Sequence, residues 1–308
     1  MSHINLIARK LFKGIAQQQW HLLGKRHKLG LDRSEIGTTD DIIYEMVRFV
    51  KHHPGAGIEV WKSQNESRNG HDIDLFVRDH KSSGFYWFPL QAKVLDHQQQ
   101  YAHIAPGGKK AQWPLLQRLQ RNAAASGFFC QPYYLWYTGF TPRTTTTYLE
   151  RWNNQVATEL ATDLNLTIDD ITPMWRAAFG CSLTPPDVVQ TVCAAHPKPW
   201  YHHFHNRERV KLNQTIAWHH LFDNQFIRNL TNASSAQPFS DSDVQSRKHF
   251  YKHTVTPFAP KKEDPINYYY YGGEALTAGD EPELLGRYMV VIDRPRLADN
   301  ILAALGPE

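Results

Sequence analysis

The run HDIDLFVRD at residues 71–79 constrains this chain most, because Ile73, Leu75 and Val77 recur at every second position, with Asp72 and Asp74 between and before them. A period of two belongs to an extended strand, and it puts Ile73, Leu75 and Val77 on one face and Asp72, Asp74 and Phe76 on the other. HKSSG (80–84) supplies turn residues, and FYWFPLQAKVL (85–95) follows as an apolar strand suited to burial on both faces. Pro89 weakens that strand locally, since proline cannot donate to a ladder. If the two strands pair as a hairpin, Asp72, Asp74, Gln91 and Lys93 converge.

The neighbouring segments supply a core around this hairpin. Thr38-Thr39-Asp40-Asp41 offers caps for a helix through IIYEMVRFVKHH, which Pro54-Gly55 ends. IEVWKS (58–63) alternates as a first strand. QWPLLQRLQRNAAA reads as a helix that tolerates Pro114 in its first turn, and QPYYLWYTG (131–139) reads as a fourth strand. The expected fold class is α/β, in the order helix, strand, strand, strand, helix, strand. Residues 3–30 are expected to form a packing helix without visible chemistry. The second half shows helical patterns near 145–165 and 186–196, an exposed loop at 231–247, a late strand GRYMVVIDR (286–294) and a terminal helix at 296–305.

The chemistry of the convergent residues is specific. Two carboxylates and an amide oxygen suit a hard divalent cation such as Mg²⁺. Such a cation acidifies bound water and neutralises phosphate charge, and a lysine beside it orients the nucleophile or stabilises the oxyanion. Residues 1–150 hold 19 Lys and Arg against 12 Asp and Glu, whereas the remainder holds 15 against 18. A basic half invites a polyanion, though the excess is modest.

The stretch GHDIDLFV followed by PLQAKVL, after the helix DDIIYEMVRFV, resembles the PD-(D/E)xK, or restriction-endonuclease-like, nucleases. It is similar in particular to an uncharacterised bacterial family with a Gly-x-Asp-x-acid strand and a QAK strand. The resemblance covers about residues 38–140. It implies an αβββαβ core with a mixed sheet, preceded by a packing helix (1–37) and followed by a largely helical or irregular C-terminal extension (141–308) packed on the core. It implies Asp72 as principal metal ligand, Asp74 as second ligand or outer partner, Gln91 where relatives often carry Glu, and Lys93 as the catalytic lysine. Glu45, with Asp41 as alternative, matches the acid on the preceding helix. Gln112, with Lys109 and Lys110 in the loop before it, is a substrate-binding candidate.

The implied activity is that of a Mg²⁺- or Mn²⁺-dependent endodeoxyribonuclease, with an anti-phage or restriction-like role. The partner is nucleic acid, with DNA favoured, and a homodimer or a partner subunit is compatible. A catalytically inactive nucleic-acid-binding module and an interaction subunit of a defence complex are the competing readings. Three cysteines, Cys130, Cys181 and Cys193, fit neither a metal motif nor a disulfide framework and read as free thiols in a cytoplasmic protein. No signal peptide or membrane span is expected. The histidines His202, His203, His205, His219 and His220 offer a weaker zinc alternative, and Tyr268–Tyr271 a weaker base-stacking one.

Overall fold

The two alternating runs pair as expected in the computed structural model. It describes residues 3–63, 69–78, 84–98, 100, 101, 104, 112–139, 180–195, 215–222, 224–232, 234–253 and 285–294. Strands β2 (Asn69–Arg78) and β3 (Phe85–Val94) form an antiparallel hairpin in the register Ile73 opposite Leu90 and Phe76 opposite Trp87. Pro89 lies inside β3. The strand meets Gln131 through the Trp87 carbonyl and meets β4 (Tyr133–Tyr137) only from Leu90 onward, so proline falls where no donor is required on that side.

Helix α1 (His3–Lys28) and helix α2 (Glu35–His52) precede β1 (Ile58–Ser63), and helix α3 (Trp113–Ala125) joins β3 to β4. The expected order of helix, three strands, helix and strand is therefore present from α2 to β4, within an α/β fold built on a mixed sheet.

The later chain is more strand-rich than its sequence suggests. It adds β5 (Cys181–Thr184), helix α4 (Pro186–Ala195), β6 (Ile216–Ala217), a 3₁₀ helix (Trp218–Phe222) and helix α5 (Asn224–Asn232). Helix α6 (Asp241–Lys248), β7 (Tyr251–His253) and β8 (Leu285–Ile292) complete it. All eight strands join one sheet in the order β6-β5-β4-β3-β2-β8-β1-β7. The expected late strand thus does more than pack on a core. It enters the sheet between β1 and β2, parallel to β2 and antiparallel to β1. The exposed loop expected at 231–247 contains α6, whose Ser240–Asp243 capping box starts a helix with little apolar surface to announce it. The expectations for 145–165 and 296–305, and those resting on Lys109, Lys110, His202, His203, His205 and Tyr268–Tyr271, lie outside the described residues.

Strand alternation divides the interior into two cores. Ile73, Leu75, Phe88, Leu90, Leu135 and Val290 face α1, α2 and the 3₁₀ helix. Phe76, Trp87, Tyr134, Trp136 and Met289 face α3, α4 and α6. Helix α1 sits close to the sheet because Gly180 lacks a side chain: a Cβ there would lie 1.9 Å from the Ala16 carbonyl oxygen. The cysteines are free thiols, with Cys130 and Cys181 buried. No helix among the described residues is long and apolar enough to cross a membrane.

Candidate metal and acid–lysine site

The hairpin and the start of α2 bring four polar side chains together. Asp72, partly buried on β2, accepts from Gln91 Nε2 at 2.5 Å and from the Ala92 backbone N–H at 2.7 Å through the same oxygen, Oδ2. Gln91 and Lys93 follow each other on one face of β3, and each is 3% exposed. Lys93 Nζ is 2.7 Å from Glu35 Oε2. Glu35 is the first residue of α2, immediately after the N-cap Ser34, whose hydroxyl accepts from the Gly37 N–H at 3.0 Å. A carboxylate there is favoured by the helix dipole, so the local fold supports an acid independently of Lys93.

Burial pushes the pKa of Asp72 up to about 6, the Ala92 N–H opposes that shift, the Glu35 charge reinforces it, and Lys93 and His71 oppose it. With its amide N–H directed at this carboxylate, Gln91 is left with a buried Oε1 that has no hydrogen-bond partner among the described residues. An unsatisfied buried carbonyl oxygen costs free energy, as does an ionised carboxylate that burial disfavours. A divalent cation relieves both, so Asp72 and Gln91 fit one, with Glu35 as the nearby second acid. Among the described residues no cluster of three His, Cys, Asp or Glu side chains has metal-binding geometry, so any cation here relies on the amide oxygen.

The site continues onto β4. Tyr134 lies opposite Gln91 in register and faces the core beneath α3, and its buried hydroxyl has no hydrogen-bond partner among the described residues. Gln112, the N-cap of α3, makes no capping bond with its side chain and leaves a buried Oε1 unpartnered among the described residues.

Three expected residues therefore meet: Asp72, Gln91 and Lys93. Asp74 does not join them. Its fully buried Oδ1 accepts from His71 Nε2 at 2.7 Å and Trp87 Nε1 at 2.5 Å, and its Oδ2 accepts from Tyr251 Oη and from the Gly286 N–H at 2.7 Å. Four donors fill the acceptor capacity of a carboxylate and leave none for a cation. Burial favours the neutral acid, but His71, Arg247 and Tyr251 overcome it and hold Asp74 far below the usual carboxylate range. The expected second ligand is thus a structural hub.

Glu45 and Asp41 also lie elsewhere: Glu45 pairs with Arg48 and Gln18, and Asp41 pairs with Arg33. The helix acid at the site is Glu35, which sequence reasoning missed by starting the helix at Thr38. The signal was present as Ser34-Glu35, a cap followed by a first-turn acid.

The raised pKa of Asp72 gives a stability signature. The folded state holds this proton up to a pH of about 6, whereas an unfolded Asp releases it near ~3.9. Wild-type stability therefore falls as pH rises through that window. Asp72→Asn is expected to melt higher than wild type at pH 7.5, with the difference shrinking below a pH of about 4. Wild type, but not the variant, should be stabilised by Mg²⁺ or Mn²⁺. Thermal melts across pH, with and without cation, check this; equal melting of the two proteins at every pH would refute it.

The fold and site define an α/β protein with an acid–amide–lysine cluster on a central hairpin. The chain belongs to a family of unknown function, DUF6615, which it matches over residues 8–295. No curated protein and no solved structure matches it significantly.

Proposed function

We propose that this chain is a metal-dependent nuclease that hydrolyses phosphodiester bonds of DNA, using Asp72, Gln91, Lys93 and Glu35. One observation carries the reading: the unpartnered, buried Oε1 of Gln91 beside the Asp72 carboxylate, with a buried lysine on the same strand face. Asp72 and Gln91 would hold Mg²⁺ or Mn²⁺, and the cation, when bound, would supply an acidified water and charge neutralisation at phosphate. Lys93, positioned by Glu35, would place a cationic donor against the phosphate oxygens or the attacking water. Asp72 would orient Gln91 by accepting its N–H. The resemblance to the restriction-endonuclease-like nucleases supports the reaction class, and the anti-phage or restriction-like role rests on that resemblance alone.

The decisive experiment is cleavage of supercoiled plasmid by purified protein in Mg²⁺, Mn²⁺ or EDTA, beside Lys93→Ala. Wild type is expected to nick or linearise the plasmid only with cation, and Lys93→Ala to be slower by at least about 100-fold. Equal activity in the variant would place the chemistry elsewhere. A second reading, a non-catalytic nucleic-acid-binding module, draws on the glutamine at position 91, which leaves the site one formal charge short of an acid–acid pair. Salt-sensitive DNA binding with no cleavage under any cation would favour it.

A further inference from the structure

Helix α1 has an interior stripe that explains its packing: Ile7, Leu11, Ile15 and Trp20 are buried. Its charges call for another account. Over 26 residues the helix carries Arg9, Lys10, Lys13, Lys25, Arg26 and Lys28 and not one acid. The helix dipole favours cations in the last turn, which accounts for Lys25, Arg26 and Lys28. It offers no such support to Arg9, Lys10 and Lys13, which stand toward the opposite end, where the dipole is positive.

These three residues line a groove. The first half of α1 lies beside the second half of α2, where Gln18 Nε2 donates to Glu45 Oε1 at 3.3 Å. The groove between them has a volume of about 750 Å³, and its lining includes Arg9, Lys10, Lys13, Arg48, His52 and His53. Among the described residues Glu45 is the one acid in that lining, and it is already engaged by Arg48 and Gln18. Burial is the main cause that lowers the pKa of His219, and His220, Arg9 and Lys13 add to it. Arg9, Lys10, Lys13 and Arg48 give the described lining an excess of cations over carboxylates, which is complementary to a polyanion.

We infer that this groove, continued along α1 by Lys25, Arg26 and Lys28, binds the phosphate backbone of a nucleic acid and leads it toward the acid–lysine site at the start of α2. The assignment of nucleic acid as the polyanion rests on the nuclease reading. The rise of an α-helix makes α1 about 39 Å long, about the axial length of eleven base pairs of duplex at ~3.4 Å each. The last turn of α1 is followed within a few residues by Ser34 and Glu35, so a backbone held along the helix arrives beside Lys93.

The test is fluorescence anisotropy of the full chain with a labelled duplex of about 20 base pairs, in EDTA, over a series of NaCl concentrations. Wild type is expected to bind with a steep loss of affinity as salt rises. The triple variant Lys10→Glu, Lys13→Glu, Arg48→Glu should bind at least about tenfold more weakly, and the corresponding glutamine variant should fall between. For three lost phosphate contacts the slope of log K against log salt should drop by about 2.7. Circular dichroism melts establish that the variants fold. Wild-type affinity in the glutamate variant, or no binding of duplex or single strand by wild type at low salt, overturns the proposal. So does a preference for anionic phospholipid vesicles over DNA. Binding in EDTA without cleavage in Mg²⁺ or Mn²⁺ would sink the nuclease reading and leave the groove standing. Unimpaired cleavage by the triple variant would sink the groove and leave the nuclease standing.

Discussion

Asp74→Ala is expected to lower the free energy of unfolding by about 4 kcal/mol, a large share of the ~5–15 kcal/mol that holds a domain together. The loss is large because the donors belong to different strands: His71 on β2, Trp87 on β3, Tyr251 on β7 and Gly286 on β8. Removing the carboxylate leaves all four buried without their acceptor. Gly286 is part of the same device, since a Cβ there would lie 2.7 Å from the Asp74 backbone nitrogen and 2.9 Å from its Oδ2. Because the folded state depresses the Asp74 pKa, its contribution is present at neutral pH and is lost as pH falls below about 4. Urea titration at pH 7 measures the effect, and an unchanged midpoint would show that the hub contributes nothing. Cleavage per folded molecule should survive in Asp74→Ala, because Asp74 touches none of the acid–lysine cluster; selective loss of cleavage would return it to the list of ligands.

Glu35→Met is expected to cost roughly 3 kcal/mol and to reduce cleavage by about 100-fold. Lys93 is 3% exposed and its ammonium is bonded to Glu35, so losing the acid strands a buried cation. Adding Lys93→Met removes that cation. The double variant should regain most of the stability and none of the activity. This pattern separates a lysine held for chemistry from one held only by its ion pair, and it is read from melts and plasmid cleavage on the three proteins. A Glu35→Met protein as stable and as active as wild type would remove Glu35 from the site.

The parts of the site that sequence reveals are those set by local geometry. Asp72, Gln91 and Lys93 are legible because period-two alternation assigns each a face and one turn joins their strands. The same alternation gives Asp74 the identical face as Asp72, and spacing cannot separate a ligand from a hub. What separates them is Tyr251 and Gly286, brought to Asp74 by strands remote in sequence. Glu35 lies 58 residues from Lys93 and was hidden by a richer set of capping residues at 38–41. Helix α6 was hidden because only Val244 is buried in it, so no apolar period announces it. The run at 286–294 announces a strand, but alternation says nothing of its neighbours. Its parallel seat beside β2 depends on pairing at long range.

That seat has a consequence for the newborn protein. Asp74 and its Gly286 partner are 212 residues apart. At ~5–20 residues per second, a ribosome needs about 10 to 40 s after making the β2–β3 hairpin to deliver the strand that flanks it. Throughout that interval β2 has an open edge and Asp74 lacks the Gly286 donor. The acid–lysine hairpin is among the first parts of the sheet to be made, and its flank is closed last. The sheet around the acid–lysine hairpin is thus complete only once β8 has emerged and slotted home between β1 and β2.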